Sequence, residues 1–186
     1  MKVSSISTLV LAVLGILVSP MMANAEETKV LRGSEITESA IIDALAPGGL
    51  NRSFKLADDQ PKSQSNKSAS ASLGVNFKSN SAELTYDAQQ ELDRVGSALN
   101  MDRLAEFKFK IEGHADRSGS YQLNQRLSKA RAESVMSYLV YKHAIDPSRL
   151  TAIGKGYTEL LNKEDPLSPK NRRVKIVRID DSGRKQ

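Results

Sequence analysis

The sequence predicts an α+β domain over residues 73–180, a sandwich of order β-α-β-α-β-β with a mixed sheet and its helices on one face. Three observations point to it. Short runs alternate apolar with polar residues, and two longer stretches between them repeat at helical spacing. Strands separated by helices also need crossover connections, which makes at least part of the sheet parallel.

The first strand is read from Leu73, Val75 and Phe77, which alternate with smaller or polar neighbours and end near Lys78. Thr85 then offers an N-cap and Asp87 suits the positive end of a helix, while Ala88, Leu92, Val95 and Leu99 recur at helical spacing over about four turns. Phe107, Phe109 and Ile111 alternate with Lys108, Lys110 and Glu112, the clearest period-two run in the chain, which ends at Gly113. A polar loop from His114 to Ser120 leads into a long helix. There Leu127, Ala130, Ser134, Val135, Tyr138 and Leu139 can share one face, and the helix stops before Asp146-Pro147. Tyr138, Leu139 and Tyr141 read as partial core and flank rather than an aromatic binding strip. Leu150 to Gly154 reads as the third strand, a loop with Pro166 and Pro169 follows, and Arg173 to Ile179 closes the sheet. Residues 181–186 are expected to fray.

Upstream, residues 1–25 read as an export signal: Lys2 gives a positive start, Leu9 to Val18 is a short apolar run, and Ala23-Asn24-Ala25 has the small-x-small form of a cleavage site. Retention of the run as a membrane anchor is the alternative, but Leu9 to Val18 is well short of the roughly 20 residues that cross a bilayer. Residues 26–56 carry one helix, with Ser34 or Thr37 as N-cap and Ile41, Ile42 and Leu45 as apolar neighbours, in a segment too short to be a domain. Residues 57–72 are almost free of apolar bulk and read as a flexible polar linker.

Lysine and arginine outnumber acids by 27 to 22, a formal charge of +5, and removing residues 1–25 takes away Lys2 alone. Export excludes nucleic acid as the partner of this mild surplus, and a 5% aromatic content offers few stacking platforms for bases. The sequence has no cysteine, so disulfides, thiolate-ligated metals and a lipidated N-terminal cysteine are excluded.

The most specific signal is a series of separated blocks: Ile111-Glu112-Gly113-His114-Ala115-Asp116-Arg117-Ser118-Gly119, then Tyr121 and Asn124, then Leu127-Ser128-Lys129-Ala130-Arg131-Ala132, and finally Asn171-Arg172-Arg173-Val174. In element order and motif spacing the region from Leu73 to Ile179 resembles the OmpA-like peptidoglycan-binding family. The resemblance implies recognition of diaminopimelate in the stem peptide of peptidoglycan, whose side-chain end carries an ammonium and a carboxylate on one carbon. The family's acidic loop residue falls on Asp116, as acceptor for the ammonium. Its helical arginine falls on Arg131, whose planar fork suits a carboxylate. Asn80, Asn124, Asn171 and Arg172 match further family positions. Gly113 and Gly119 would let the backbone approach a ligand or turn sharply. Ala115 stands where the family often has threonine, so only a backbone contact is expected there.

Read without the family register, Asp116 is a turn-capping acid and Arg131 one more charge on a solvated helix face. His114 and Asp116 could suggest a metal pair, yet the other histidine, His143, is expected at the far end of the helix, which favours a structural histidine and no metal. Ser128 and Ser134 have no positioned histidine base and no Gly-x-Ser-x-Gly elbow surrounds them, so no enzyme and no cofactor are expected. No run of alternating barrel strands precedes the domain in this sequence. The expected role is noncovalent peptidoglycan binding in the periplasm, associated with the cell wall at the periphery of the outer membrane. It would tether an envelope protein or activity to the wall, with residues 26–56 meeting a second envelope protein. The alternative is a periplasmic protein-interaction scaffold in which wall binding is weak or lost.

Overall fold

The computed structural model describes residues 29–47 and 69–180. The expected export signal, most of the expected linker and the expected C-terminal tail lie outside the described residues.

Five strands form one mixed sheet: β1 (Val30–Leu31), β2 (Ser70–Leu73), β3 (Lys108–His114), β4 (Leu150–Gly156) and β5 (Arg173–Ile179), in the spatial order β1-β2-β5-β3-β4. Between them come α1 (Glu38–Leu45), α2 (Tyr86–Leu99), the single turn α3 (Asp102–Ala105) and the long α4 (Tyr121–His143). β5 is antiparallel to both β2 and β3, whereas β3 pairs with β4 and β1 with β2 in parallel. The helices lie against the face that carries Phe109, Ile111 and Ile176 into the core, while Lys108 and Lys110 on the other face reach solvent. The α+β class and the mixed sheet are as the sequence predicts.

The helices begin where the sequence places them. Thr85 accepts from the Ala88 N–H at 3.2 Å to cap α2, and Ser120 accepts from the Leu123 N–H at 3.3 Å to cap α4. Ala88, Leu92, Val95 and Leu99 are buried as their spacing requires. On α4 the buried residues are Asn124, Ser128, Ala132, Val135 and Leu139: Val135 and Leu139 are buried as expected, whereas Leu127, Ala130, Ser134 and Tyr138 are only half-buried, so the seam is rotated from the expected face. The reason is close approach. A Cβ added at Gly113 would lie 2.1 Å from the Ser128 carbonyl oxygen, and one at Gly154 would lie 2.7 Å from the Lys129 backbone nitrogen. The N-terminal half of α4 therefore rests on bare strand backbone, where small and polar residues fit better than leucine. Tyr141 stands 88% exposed, outside the core that Leu139 occupies.

Two boundaries differ from the sequence reading. The first strand of the expected domain runs over Ser70–Leu73 rather than 73–78, so residues 70–72 belong to the sheet and not to the linker; Phe77 makes only an isolated bridge with Leu84. β2 is paired on both edges, by β1 and β5, and its alternate residues Ala71 and Leu73 enter the core. The segment around α1 is also part of the domain. β1 adds an edge to the sheet, Thr37 caps α1 by accepting from the Ala40 N–H at 3.1 Å, and Ile41, Ile42 and Leu45 enter the common core. Glu91 of α2 accepts from the Gly33 N–H at 3.0 Å, and Arg32 donates to the Pro169 carbonyl at 3.1 Å.

Candidate functional site

Parallel pairing of β3 with β4 brings the loop after β3 beside the end of β4. The Ala115 N–H donates to the Gly156 carbonyl at 2.8 Å and the Arg117 N–H to the Pro166 carbonyl at 3.0 Å, so this loop is tied to the two that flank it. Asp116 sits between those ties and is 5% exposed. Its Oδ1 accepts from the Ser118 N–H at 3.0 Å and from the Ser118 hydroxyl, closing an Asx turn. Its Oδ2 accepts from Arg172 Nη1 at 2.6 Å. Burial pushes the Asp116 carboxyl up, but the Ser118 hydroxyl, Arg172 and the Ser118 N–H outweigh it and hold the group below its ordinary value.

Arg131 approaches from α4. Its Nε donates to the Ser81 carbonyl at 3.1 Å, and its guanidinium carbon stands 5.0 Å from the centre of the Phe77 ring. Burial lowers its pKa, the positive charge of Arg172 lowers it further and Asp116 opposes both, while the group stays charged. Asp116, Arg131 and Arg172 therefore act on one another electrostatically although they come from a loop, a helix and the start of a strand. Two guanidiniums to one carboxylate leave the cluster with an excess positive charge.

The other sequence-predicted residues divide into neighbours and supports. Asn80 is exposed, in the left-handed region at φ 49°, one residue before the carbonyl that holds Arg131. Asn124 is buried, and its side-chain amide donates to the Ser118 carbonyl, clamping the Asp116 loop onto the first turn of α4. Asn171 is fully buried. Its Oδ1 accepts from the Asn162 N–H at 2.8 Å, and its Nδ2 lies 3.0–3.2 Å from the carbonyls of Asn162, Asp165 and Pro166. It shapes the loop ahead of Arg172 and has no surface left for a ligand. Gly113 is accounted for by the Ser128 backbone above it, not by an incoming ligand, and the Ala115 N–H is already bound. Gly119, at φ 78°, supplies the sharp turn expected of it.

The sequence reading missed Ser118, Ser81 and Phe77. Asp-x-Ser is a local signature of an Asx turn and could have pointed to Ser118. Nothing local marks a carbonyl fifty residues away as the support of Arg131.

Residues 76–173, 98 of the 186, match the model of the OmpA family. The chain belongs to the OmpA family. Asp116, Arg131 and Arg172 all lie within the matched region. The chain is similar to outer membrane protein Omp38 of Acinetobacter baumannii, 36% identical over 104 residues, which is 55% of this chain and 29% of the relative. It is also similar to outer membrane protein A of Klebsiella aerogenes, 41% identical over 86 residues, 46% of this chain and 24% of the relative. The matches thus span less than a third of these relatives. Among solved structures, the periplasmic domain of Helicobacter pylori MotB superposes with a TM-score of 0.55 at 18% identity, covering 65% of this chain and 82% of that one. An outer membrane protein of Borrelia burgdorferi B31 superposes with a TM-score of 0.51 at 24% identity, covering 63% and 95%. At these identities the likeness shows a shared fold. Among the described residues no helix is long and apolar enough to cross a membrane.

Proposed function

We propose that this OmpA-family domain binds peptidoglycan noncovalently in the periplasm, through the diaminopimelate of the stem peptide, and so tethers an envelope protein or activity to the cell wall. The observation that carries this reading is the convergence of Asp116 with Arg131. A zwitterionic terminus needs an anion and a cation a few ångströms apart, each held rigid before the ligand arrives. Asp116 Oδ1 is filled by Ser118, whereas Oδ2 has one bond from Arg172 and a second lone pair to offer an ammonium. Arg131 is fixed by its Nε and by Phe77, which leaves its terminal Nη groups to meet a carboxylate in two parallel bonds. Arg172, its side chain 49% exposed, brings a second guanidinium to Asp116. The role is binding, without bond-breaking chemistry.

The test is co-sedimentation of the chain with purified sacculi at physiological salt. Each charge-assisted hydrogen bond contributes on the order of 1.5–3 kcal/mol, so Arg131→Ala or Asp116→Ala is expected to weaken retention tenfold or more. Unchanged retention of either variant would refute the two-charge site. Equal retention on lysine-type peptidoglycan would leave wall binding standing and remove diaminopimelate as its determinant. Because Ile41 and Leu45 are buried within this chain, a second envelope protein meeting α1 would contact the polar face that carries Ser39, beside the exposed Thr37.

A further inference from the structure

On the sheet face turned away from the helices lie three side chains that the proposed peptidoglycan site does not use. Glu112 and His114 are two residues apart on β3, which pairs with β5 without a break through His114, and so point to the same side. Glu159 comes from the turn that follows β4. One donor atom from each of the three lies within 4.8 Å of the others. The His114 side chain is completely buried, yet neither ring nitrogen has a hydrogen-bond partner. The Glu112 Oε2 is 3.8 Å from its Nε2, beyond the reach of a hydrogen bond. A neutral imidazole carries one N–H and one lone pair, and burying both unmet is costly.

A gap of 3.8 Å is too long for a hydrogen bond but is readily spanned by two metal–ligand bonds of about 2.0–2.2 Å each. We propose that Glu112, His114 and Glu159 form a site for a divalent transition-metal ion of the zinc type, separate from the Asp116–Arg131 pair. One imidazole with two carboxylates suits zinc and its neighbours in the series better than calcium or magnesium, which take oxygen ligands alone. Glu159, its side chain 49% exposed, opens the site to solvent, so a water completes the coordination.

The site already faces cations. Lys155 Nζ lies 2.6 Å from Glu159 Oε1 and 3.7 Å from Glu112 Oε1. Arg173 is buried nearby, its Nη2 donating to the Glu159 carbonyl at 3.1 Å, and Lys175 lies opposite Glu112 in the register of β5. Lys155 is the resident counter-charge of the two carboxylates, and the metal takes its place. Its long stem lets the ammonium move into water, whereas the buried Arg173 stays and weakens the ion's hold.

The proposal is tested by titrating tag-free protein with zinc chloride in a calorimeter and by following thermal unfolding. Wild type is expected to bind one equivalent and to unfold at a higher temperature with zinc present. Glu159→Gln changes a half-exposed side chain, keeps the fold by circular dichroism and should weaken binding at least tenfold. Lys155→Met removes the competing charge and should tighten binding roughly tenfold. His143→Gln, remote from the site, should leave affinity unchanged. Zinc that fails to bind at millimolar concentration would overturn the proposal. So would binding that survives Glu159→Gln, that is lost with His143→Gln, or that does not tighten in Lys155→Met. None of these readouts depends on peptidoglycan.

Discussion

Replacing Gly113 by alanine places a methyl group 2.1 Å from the Ser128 carbonyl oxygen and 2.9 Å from its carbon. Ordinary contact begins near 3.4 Å, and the atoms it meets are backbone, so no side chain can rotate out of the way. The helix α4 must retreat by about 1 Å, and it also rests on Gly154 and Gly156, so the retreat loosens its seating on β4 as well. Overpacking of this kind costs about 1–3 kcal/mol, with the upper end expected where a whole helix moves. Against it, alanine restricts the unfolded chain and returns about 0.4–1 kcal/mol. The net expectation is a loss of about 2 kcal/mol, read as a lower midpoint in urea denaturation with an unchanged slope. Gly119→Ala is the control. Its methyl has room, 3.6 Å from Leu123, but φ is 78°, and the left-handed strain should cost about 1 kcal/mol. A Gly113→Ala variant within about 0.5 kcal/mol of wild type would refute the claim that this glycine exists for helix packing.

Three further outcomes follow from the same geometry. Ile41→Ala should cost about 2–4 kcal/mol, because this α1 side chain is fully buried; an unchanged melting temperature would show that α1 is not part of the core. Asn171→Ala strands the Asn162 N–H and the carbonyls around it, and should cost about 2–3 kcal/mol while raising hydrogen exchange across residues 162–166; unaltered protection there would contradict its role as the loop's organiser. Tyr138 is pushed up to about 12 by burial, by its hydrogen bond to Asp93 and by that residue's negative charge. Its contribution to stability is therefore fully present below pH 10 and lost as pH rises through about 12. Ultraviolet titration should show one late tyrosine that disappears in Tyr138→Phe, and its persistence in that variant would sink the assignment.

Local chemistry was enough to make most elements legible. Thr85 before an apolar helical repeat, Phe107-Phe109-Ile111 alternation and the run Arg173 to Ile179 each signal their element through nearest neighbours along the chain, and the structure has α2, β3 and β5 there. The blocks around Asp116 and Arg131 were legible too, because their spacing repeats a family pattern. Where pairing over long distance decides, the sequence was silent or misleading. Ser70–Leu73 looks like linker because it offers only Ala71 and Leu73 as apolar residues, and its place in the sheet comes from pairing with β1 and β5. The α1 segment looks detached because its partners lie far downstream, Glu91 standing 58 positions after Gly33. The buried face of the N-terminal half of α4 cannot be read from its own apolar residues, since the bare backbone of Gly113 and Gly154 selects Ser128 and its neighbours, whereas Val135 and Leu139 are buried as their spacing indicates. For the same reason only the fold could show that Arg172 binds Asp116, that Asn171 faces inward, and that the ring nitrogens of His114 are buried without a hydrogen bond. Sequence spacing reports contacts one helical turn or one pleat away, and these pairings lie across the sheet.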